Sequence, residues 1–260
     1  CNDYRRGDFK PYISRTKNFG QTWERMIDEN KVKGYALCMI QDPTEPNLIF
    51  AGTEQGLWVS FDNGTNFQQW KNGYPSVSTY DLAIQEREAD LCIATFGRAM
   101  YILDDIRPLR KAAANNGAAF TKPVTVFEAP TAYQATYKSA PGYDWSTWGM
   151  YEGQNRNRGA SYSFFVDVPR NSISGISGKD SASRKKSSSS DSATVKIYNS
   201  ANELIRTTKI KADSGFNRNY WRYETKGVRQ PGSAKPKPNS PEPVNFGMPV
   251  YPGTYKVVVS

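Results

Sequence analysis

Histidine is absent from this 260-residue chain, and its absence removes several chemistries at once. A Ser–His–acid triad, a Cys–His pair, a histidine general base and any zinc site that needs an imidazole cannot be assembled from these residues. Three cysteines remain, Cys1, Cys38 and Cys92. Their spacing matches no metal motif, and their odd number fits no closed disulfide framework. Cys38 lies in Tyr35-Ala-Leu-Cys-Met-Ile40 and Cys92 in Asp90-Leu-Cys-Ile-Ala94. Both runs are strand-like and apolar, so both residues are expected to be buried free thiols. Among the carboxylates, Asp81, Glu86, Glu88, Asp104 and Asp105 are the ones to test for glycoside cleavage, which needs two acids about 5–10 Å apart over a cleft. Nothing in the sequence pairs them. Asp104 and Asp105 are neighbours at a strand end and should point to opposite faces. No catalytic residue, metal ligand or cofactor site is assigned. The remaining candidate is a cluster of rings, Tyr143, Trp145, Trp148 and Tyr151, set in a loop-like stretch. These rings suit stacking on a sugar or protein partner, and they suit equally well the packing of one domain against another.

Composition narrows the elements that must carry such groups. Hydrophobic residues make up 38% of the chain, too many for a disordered protein, yet no apolar run approaches the roughly 20 residues of a membrane helix. The net charge of +9 is unevenly placed: residues 1–110 carry 13 Lys/Arg against 15 Asp/Glu, and residues 111–260 carry 21 against 10. The basic residues of the second half sit in Ser- and Pro-rich stretches that read as solvated loops. No recognised nucleic-acid module surrounds them, so no nucleic-acid partner is expected.

Residues 33–63 and 78–105 are two copies of one unit. Ala36-Leu-Cys-Met-Ile-Gln-Asp42 aligns with Tyr80-Asp-Leu-Ala-Ile-Gln-Glu86, and Gly56-Leu-Trp-Val-Ser-Phe-Asp62 with Ala99-Met-Tyr-Ile-Leu-Asp-Asp105, at offsets of 44 and 43 residues. Each copy reads as short strands punctuated by Gly, Asn and Pro. A period near 43 residues built of several short strands is the signature of a propeller blade. Ser60-Phe-Asp62-Asn-Gly64-Thr-Asn-Phe67 fits most of the Asp-box pattern Ser-x-Asp-x-Gly-x-Thr-Trp. Thr16-Lys-Asn18-Phe-Gly20-Gln-Thr-Trp23 fits it 44 residues earlier, with Asn18 in place of Asp. In such a turn the Asp or Asn side chain binds backbone N–H groups, Gly permits positive φ, and the aromatic is expected to tuck under the hairpin. Asn18, Gly20, Trp23, Asp62, Gly64 and Phe67 are therefore read as structural residues.

The runs Pro46–Gly64 and Ala94–Leu109 carry a resemblance to bacterial proteins with neuraminidase-type (Asp-box) repeats, described as sortilin-like or glycosyl-hydrolase-like β-propellers. The resemblance implies an all-β chain: C-terminal propeller blades over residues 1–107, a linker over 108–123 with a short helical turn at 109–114, and an immunoglobulin-like β-sandwich over 124–260. It makes Cys1 an internal residue of a longer chain, with the remaining blades supplied by the same protein. It also implies a secreted or cell-envelope location. The function it suggests is a non-catalytic scaffold or binding segment for a protein or glycan partner. Two alternatives stay open: part of a glycoside hydrolase whose carboxylates lie in other blades, and a sortilin-like peptide receptor.

In the second half, alternating stretches at 161–168, 194–198, 204–211, 219–225 and 254–259, with no helical stripe, argue for a sandwich. Asn199–Asn202 is expected as a hairpin turn, and Trp221 and Tyr255 as core and corner residues. A Ser-rich basic insertion at 171–193 and a Pro-rich loop at 230–249 depart from a minimal sandwich. Asp180-Ser181-Ala182 and Asp191-Ser192-Ala193 match the short acceptor pattern for O-glycosylation in Bacteroidetes, whose secreted proteins this chain resembles. Ser181 and Ser192 are the candidate sites.

Overall fold

The computed structural model describes residues 2–114, 122–135, 156–167, 192–227 and 247–260. The chain divides into two compact units, Cys1–Thr121 and Lys122–Ser260. Both are built of small antiparallel sheets, and the described residues include little helix.

The first unit contains three sheets in chain order. β1 (Ile13–Arg15) pairs with β2 (Glu24–Ile27). Next, β3 (Ala36–Gln41), β4 (Ile49–Thr53), β5 (Gly56–Ser60) and β6 (Gln68–Trp70) form a four-stranded meander. A three-stranded meander follows, β7 (Thr79–Gln85), β8 (Asp90–Thr95) and β9 (Met100–Leu103). The repeat extends to an irregularity. The β3–β4 ladder shifts register between Ala36 and Cys38, and the β7–β8 ladder between Thr79 and Asp81, 43 residues later. The ladders thus place Ala36 with Thr79 and not with Tyr80, one residue from the sequence alignment.

Successive sheets pack face to face. Ile49 and Ala51 of β4 and Trp58 of β5 form one apolar cluster with Met26, Ile27 and Val32 on the side of the first sheet. Gly52, adjacent to Ala51, turns to the opposite face. There a Cβ would lie 2.6 Å from the Thr79 carbonyl oxygen and would overlap the Cys38 sulfur, so only glycine lets the second and third sheets approach this closely. Coverage on both faces explains why every residue of β4 and β5 is buried and why their sequences run apolar instead of alternating.

The segment expected to link two domains contains helix α1 (Arg107–Ala113), with Pro near its start, where a missing N–H costs nothing. It docks on the first unit through buried Pro108, Leu109, Ala112 and Ala113. Asp42, whose side chain is wholly buried, accepts the Thr44 and Glu45 backbone N–H groups at 2.8 and 2.7 Å and the Arg110 Nε–H at 2.9 Å. The Asn47 side chain donates to the Ala113 carbonyl at 3.3 Å. The helix thus fastens the ends of the repeat sheets.

In the second unit, β10 (Val124–Val126), β11 (Ala160–Val166) and β14 (Gly215–Trp221) form one sheet. A second sheet is β13 (Leu204–Lys211), β12 (Ser192–Tyr198) and β17 (Lys256–Val259). A two-stranded ladder joins β15 (Glu224–Gly227) to β16 (Gly247–Pro249). One core cluster draws on both three-stranded sheets, with Tyr162, Phe164 and Trp221 from the first and Ala193, Val195 and Ile197 from the second. Burial pushes the Tyr162 hydroxyl up to about 12. Trp221 is buried, donates its indole N–H to the Glu224 carbonyl at 2.8 Å and meets the Tyr255 ring edge-on at 4.9 Å. The Tyr255 hydroxyl donates back to the Tyr251 carbonyl at 2.6 Å. Asn199 closes the β12–β13 turn: its backbone N–H donates to the Glu203 carbonyl, and its side chain accepts from the Ala201 and Glu203 N–H groups.

Three boundaries differ from the sequence expectation. The strand expected over 219–225 is two strands, because Tyr223 turns through the left-handed region at φ +61° between β14 and β15. The Ser-rich insertion ends before Ser192, since Ser192 pairs with Lys211 and Ala193 enters the core. The Pro-rich loop ends before Gly247, where β16 begins. Among the described residues, no helix is long and apolar enough to cross a membrane.

Candidate functional site

The turns at Thr16–Trp23 and Ser60–Phe67 are each closed by a dense set of short-range hydrogen bonds. In the second, the Ser60 hydroxyl donates to Asp62 Oδ1 at 2.8 Å and accepts the Gly64 N–H at 2.9 Å. Asp62 also accepts the Asn66 backbone N–H at 2.9 Å and its side-chain amide at 2.7 Å. In the first, the Thr16 hydroxyl donates to Asn18 Oδ1 at 3.0 Å and accepts the Gly20 N–H at 2.8 Å. Asn18 accepts the Thr22 N–H at 2.9 Å and donates its own amide to the Thr22 hydroxyl at 2.9 Å. Each pair of atoms stands 44 residues from its counterpart. The left-handed residues repeat too, Phe19 and Gly20 at +53° and +89°, Asn63 and Gly64 at +54° and +82°. In both turns the hydroxyl at the first position and the side chain at the third spend these hydrogen bonds on closing the loop, so both turns act as braces.

Electrostatics distinguishes them. Burial by itself would raise the Asp62 carboxyl, but hydrogen bonds from the Asn66 backbone, the Asn66 side chain and Ser60 together hold it below the usual carboxylate range. Asn18 cannot titrate.

Their aromatic residues also differ, and one corrects the sequence expectation. Phe67 packs against the Met26–Trp58 cluster, whereas Trp23 is 65% exposed. Trp23 does not tuck under its hairpin. It stands at the wall of a cavity of about 520 Å³, with Tyr12, Ile13 and Ser14 beside it and Ala36–Met39 of β3 as the other lining. Tyr12 is fixed there by donating to Asp8 at 2.6 Å and by the Arg25 guanidinium, 4.6 Å from its ring centre. Sequence reasoning missed this cavity, because its walls come from separate elements that only the packing brings together. It also missed Arg15, which donates to the Asn63 carbonyl and side-chain oxygens at 3.1 and 3.0 Å and so ties the first sheet to the next turn.

Of the candidate acids, Asp81, Glu88 and Asp105 are engaged locally, and Asp104 is half-buried beside buried Asp105. Asp81 accepts the N–H of Leu82 at 2.9 Å, Glu88 the Arg87 guanidinium at 3.1 Å, and buried Asp105 the Arg107 guanidinium at 2.9 Å. Glu86 is exposed on the turn after β7. Cys38 and Cys92 are free but half-buried, not fully buried as expected. The Cys38 sulfhydryl points to the Thr79 carbonyl at 3.6 Å, and burial pushes the thiol up to about 12, far from a reactive thiolate. Among the described residues, no cluster of three or more acids and thiols is placed to hold a metal.

Tyr143, Trp145, Trp148, Tyr151 and Ser181 lie outside the described residues. Ser192 is exposed and opens β12, at the end of a strand and not within a loop. In the second unit a cavity of about 790 Å³ is lined partly by Tyr162, Asn219 and Arg206. Arg206 is buried and donates to the Thr225 carbonyl at 2.7 Å, with Glu224 at 3.5 Å. Comparison with protein-family models, curated proteins and solved structures finds no match for this chain.

Proposed function

We propose that the chain is a non-catalytic scaffold and binding segment of a secreted or cell-envelope protein, made of C-terminal β-propeller blades followed by an immunoglobulin-like sandwich. Its partner is a protein or a glycan. The observation that carries this reading is the pair of equivalent turn cages set 44 residues apart in the first and second sheets, together with the register shift that the second sheet's β3–β4 ladder shares with the third sheet's β7–β8 ladder. Such a stack spends its polar side chains on bracing and offers a rigid surface, which suits recognition better than bond cleavage.

The rings of Tyr143, Trp145, Trp148 and Tyr151 are the proposed contact with a partner. The test is a glycan and protein binding screen of the purified chain beside its Trp145→Ala and Trp148→Ala variants. Binding that these variants abolish, with the melting temperature unchanged, supports the reading. If the rings are internal packing, the same variants instead lose roughly 3–5 kcal/mol of stability, the cost of truncating core aromatics. Glycosidase or peptidase turnover by the wild-type chain that disappears in Asp81→Asn or Glu86→Gln would overturn the scaffold reading.

A further inference from the structure

Where two sheets share a core, the side chains between them are ordinarily apolar. In the second unit two strands depart from this. Register places Ile210, Thr208 and Arg206 of β13 opposite Ala193, Val195 and Ile197 of β12. A hydroxyl and a guanidinium therefore share the face whose other members form the core. In the other sheet, Asn219 of β14 stands opposite Tyr162 of β11, again a core residue. The cavity of about 790 Å³ draws its lining from both sheets. Val195, Ile197, Ile210 and Trp221 are its apolar walls, and Tyr162, Thr208 and Asn219 contribute neutral polar groups.

Arg206 has partners: it donates to the Thr225 carbonyl at 2.7 Å, and Glu224 lies 3.5 Å away to balance its charge. The neutral groups differ. Tyr162 is only 5% exposed, yet among the described residues its hydroxyl has no hydrogen-bond partner, and neither have the side chains of Thr208 and Asn219. Burial alone acts on the Tyr162 hydroxyl, with no hydrogen bond or charge set against it. Polar groups left unpaired inside a protein cost stability and are uncommon, and three around one cavity call for an occupant.

We infer that this cavity is a binding site for a neutral sugar ring. Two hydroxyls and an amide can each donate and accept, as the hydroxyls of a sugar do. The aliphatic walls suit the C–H faces of the ring, and the volume falls within the range of about 300–1,000 Å³ typical of small-molecule sites. An anion fits less well. Arg206 already has Glu224 beside it, and Arg222, the other cation of the lining, is exposed, where water screens its charge. The site lies wholly in the second unit, so it rests neither on the propeller reading nor on the rings of residues 143–151.

The probes are D-glucose, D-galactose, D-mannose and N-acetyl-D-glucosamine. Each is titrated to about 50 mM, far above a millimolar constant, into the isotope-labelled 260-residue chain. The Asn219 side-chain amide and the Tyr162 ring signals are followed. At least one sugar should shift both sets saturably. Affinity should fall about tenfold in Tyr162→Phe and in Thr208→Val, which each delete one hydroxyl. Neither hydroxyl has a partner among the described residues, so neither variant should melt below wild type. Silence with all four sugars would leave water as the occupant and overturn the inference. Binding that both variants keep at full strength also overturns it, because the sugar then sits elsewhere. So does a lowered melting temperature of Tyr162→Phe, which would give that hydroxyl a partner inside the protein. D-glucuronate tests the charge class. It should bind no tighter than glucose, and binding about tenfold tighter would overturn the choice of a neutral ligand.

Discussion

Eight residues beginning at Thr16 and eight beginning at Ser60 make the same hydrogen-bond cage, but they lie under different cover. A Cβ on Gly64 would meet the Met26 sulfur at 2.7 Å, while one on Gly20 would meet only the Trp23 ring at 4.0 Å. Ser60 is fully buried, and Phe67 reaches the core. Phe19 and Trp23 of the first turn stand in solvent, Phe19 wholly so. The cage is a local device that forms wherever its residues occur in order. Whether it also contributes a wall of the core depends on which sheet lies against it.

Glycine substitutions should separate these two contributions most strongly. Gly20 and Gly64 both sit at positive φ, so alanine at either pays for the left-handed backbone, of order 1 kcal/mol. Gly64→Ala must also displace buried Met26, and overpacking of this kind adds about 1–3 kcal/mol. Denaturant melts should therefore place Gly64→Ala about 2–4 kcal/mol below wild type and Gly20→Ala only about 1 kcal/mol below. Equal losses would mean that the first sheet does not rest on the second turn.

The aromatic pair comes next. Phe67→Ala removes a half-buried ring from the Met26–Trp58 cluster and should cost about 2 kcal/mol, below the cost for a fully buried phenylalanine. Trp23→Ala removes a mostly exposed ring and should stay within about 0.5 kcal/mol of wild type. A larger loss for Trp23 would place that ring in a contact that the cavity beside β1 does not provide.

These differences also mark how far the sequence could be read. The cages were legible because the hydrogen bonds of Thr16, Asn18, Ser60 and Asp62 described above close within eight residues, and Ser/Thr, Asp/Asn and Gly at fixed spacing leave the backbone little choice. The repeat of short strands was legible from its punctuation. The exposure of Trp23 was not, since it depends on a sheet remote in sequence. Nor was the docking of α1, which relies on Arg110 finding Asp42 68 residues away. The break between β14 and β15 was hidden because a tyrosine, and no glycine, takes the left-handed conformation there. For Trp23 and α1 a longer-range contact decides what local pattern leaves open; for Tyr223 a residue type that seldom takes the left-handed region takes it.

The smallest expected effect is also the most specific to the comparison, because it depends on one atom type. Asp62 titrates lower in the folded protein than in the unfolded chain, since Asn66 and Ser60 donate to its charged form. A depressed carboxylate contributes stability that is present above the unfolded value of about 3.9 and is lost as pH falls through the folded value. Asp62 is partly solvated, so the contribution should be well below 1 kcal/mol and should shrink in salt. In Asp62→Asn it should vanish, while the cage persists in the form that Asn18 already displays. Asn18→Asp should do the reverse. Thr16 and the Thr22 N–H already donate to its oxygen, and the Thr22 hydroxyl can turn to donate as well. A new acid-labile contribution of the same sign should then appear in the first turn. Urea melts of the three proteins from pH 6 down to about 3 would measure it. Parallel curves for wild type and Asp62→Asn would show that the two cages are held equally well by an amide and a carboxylate, which would leave cover by the neighbouring sheet as the main difference between them.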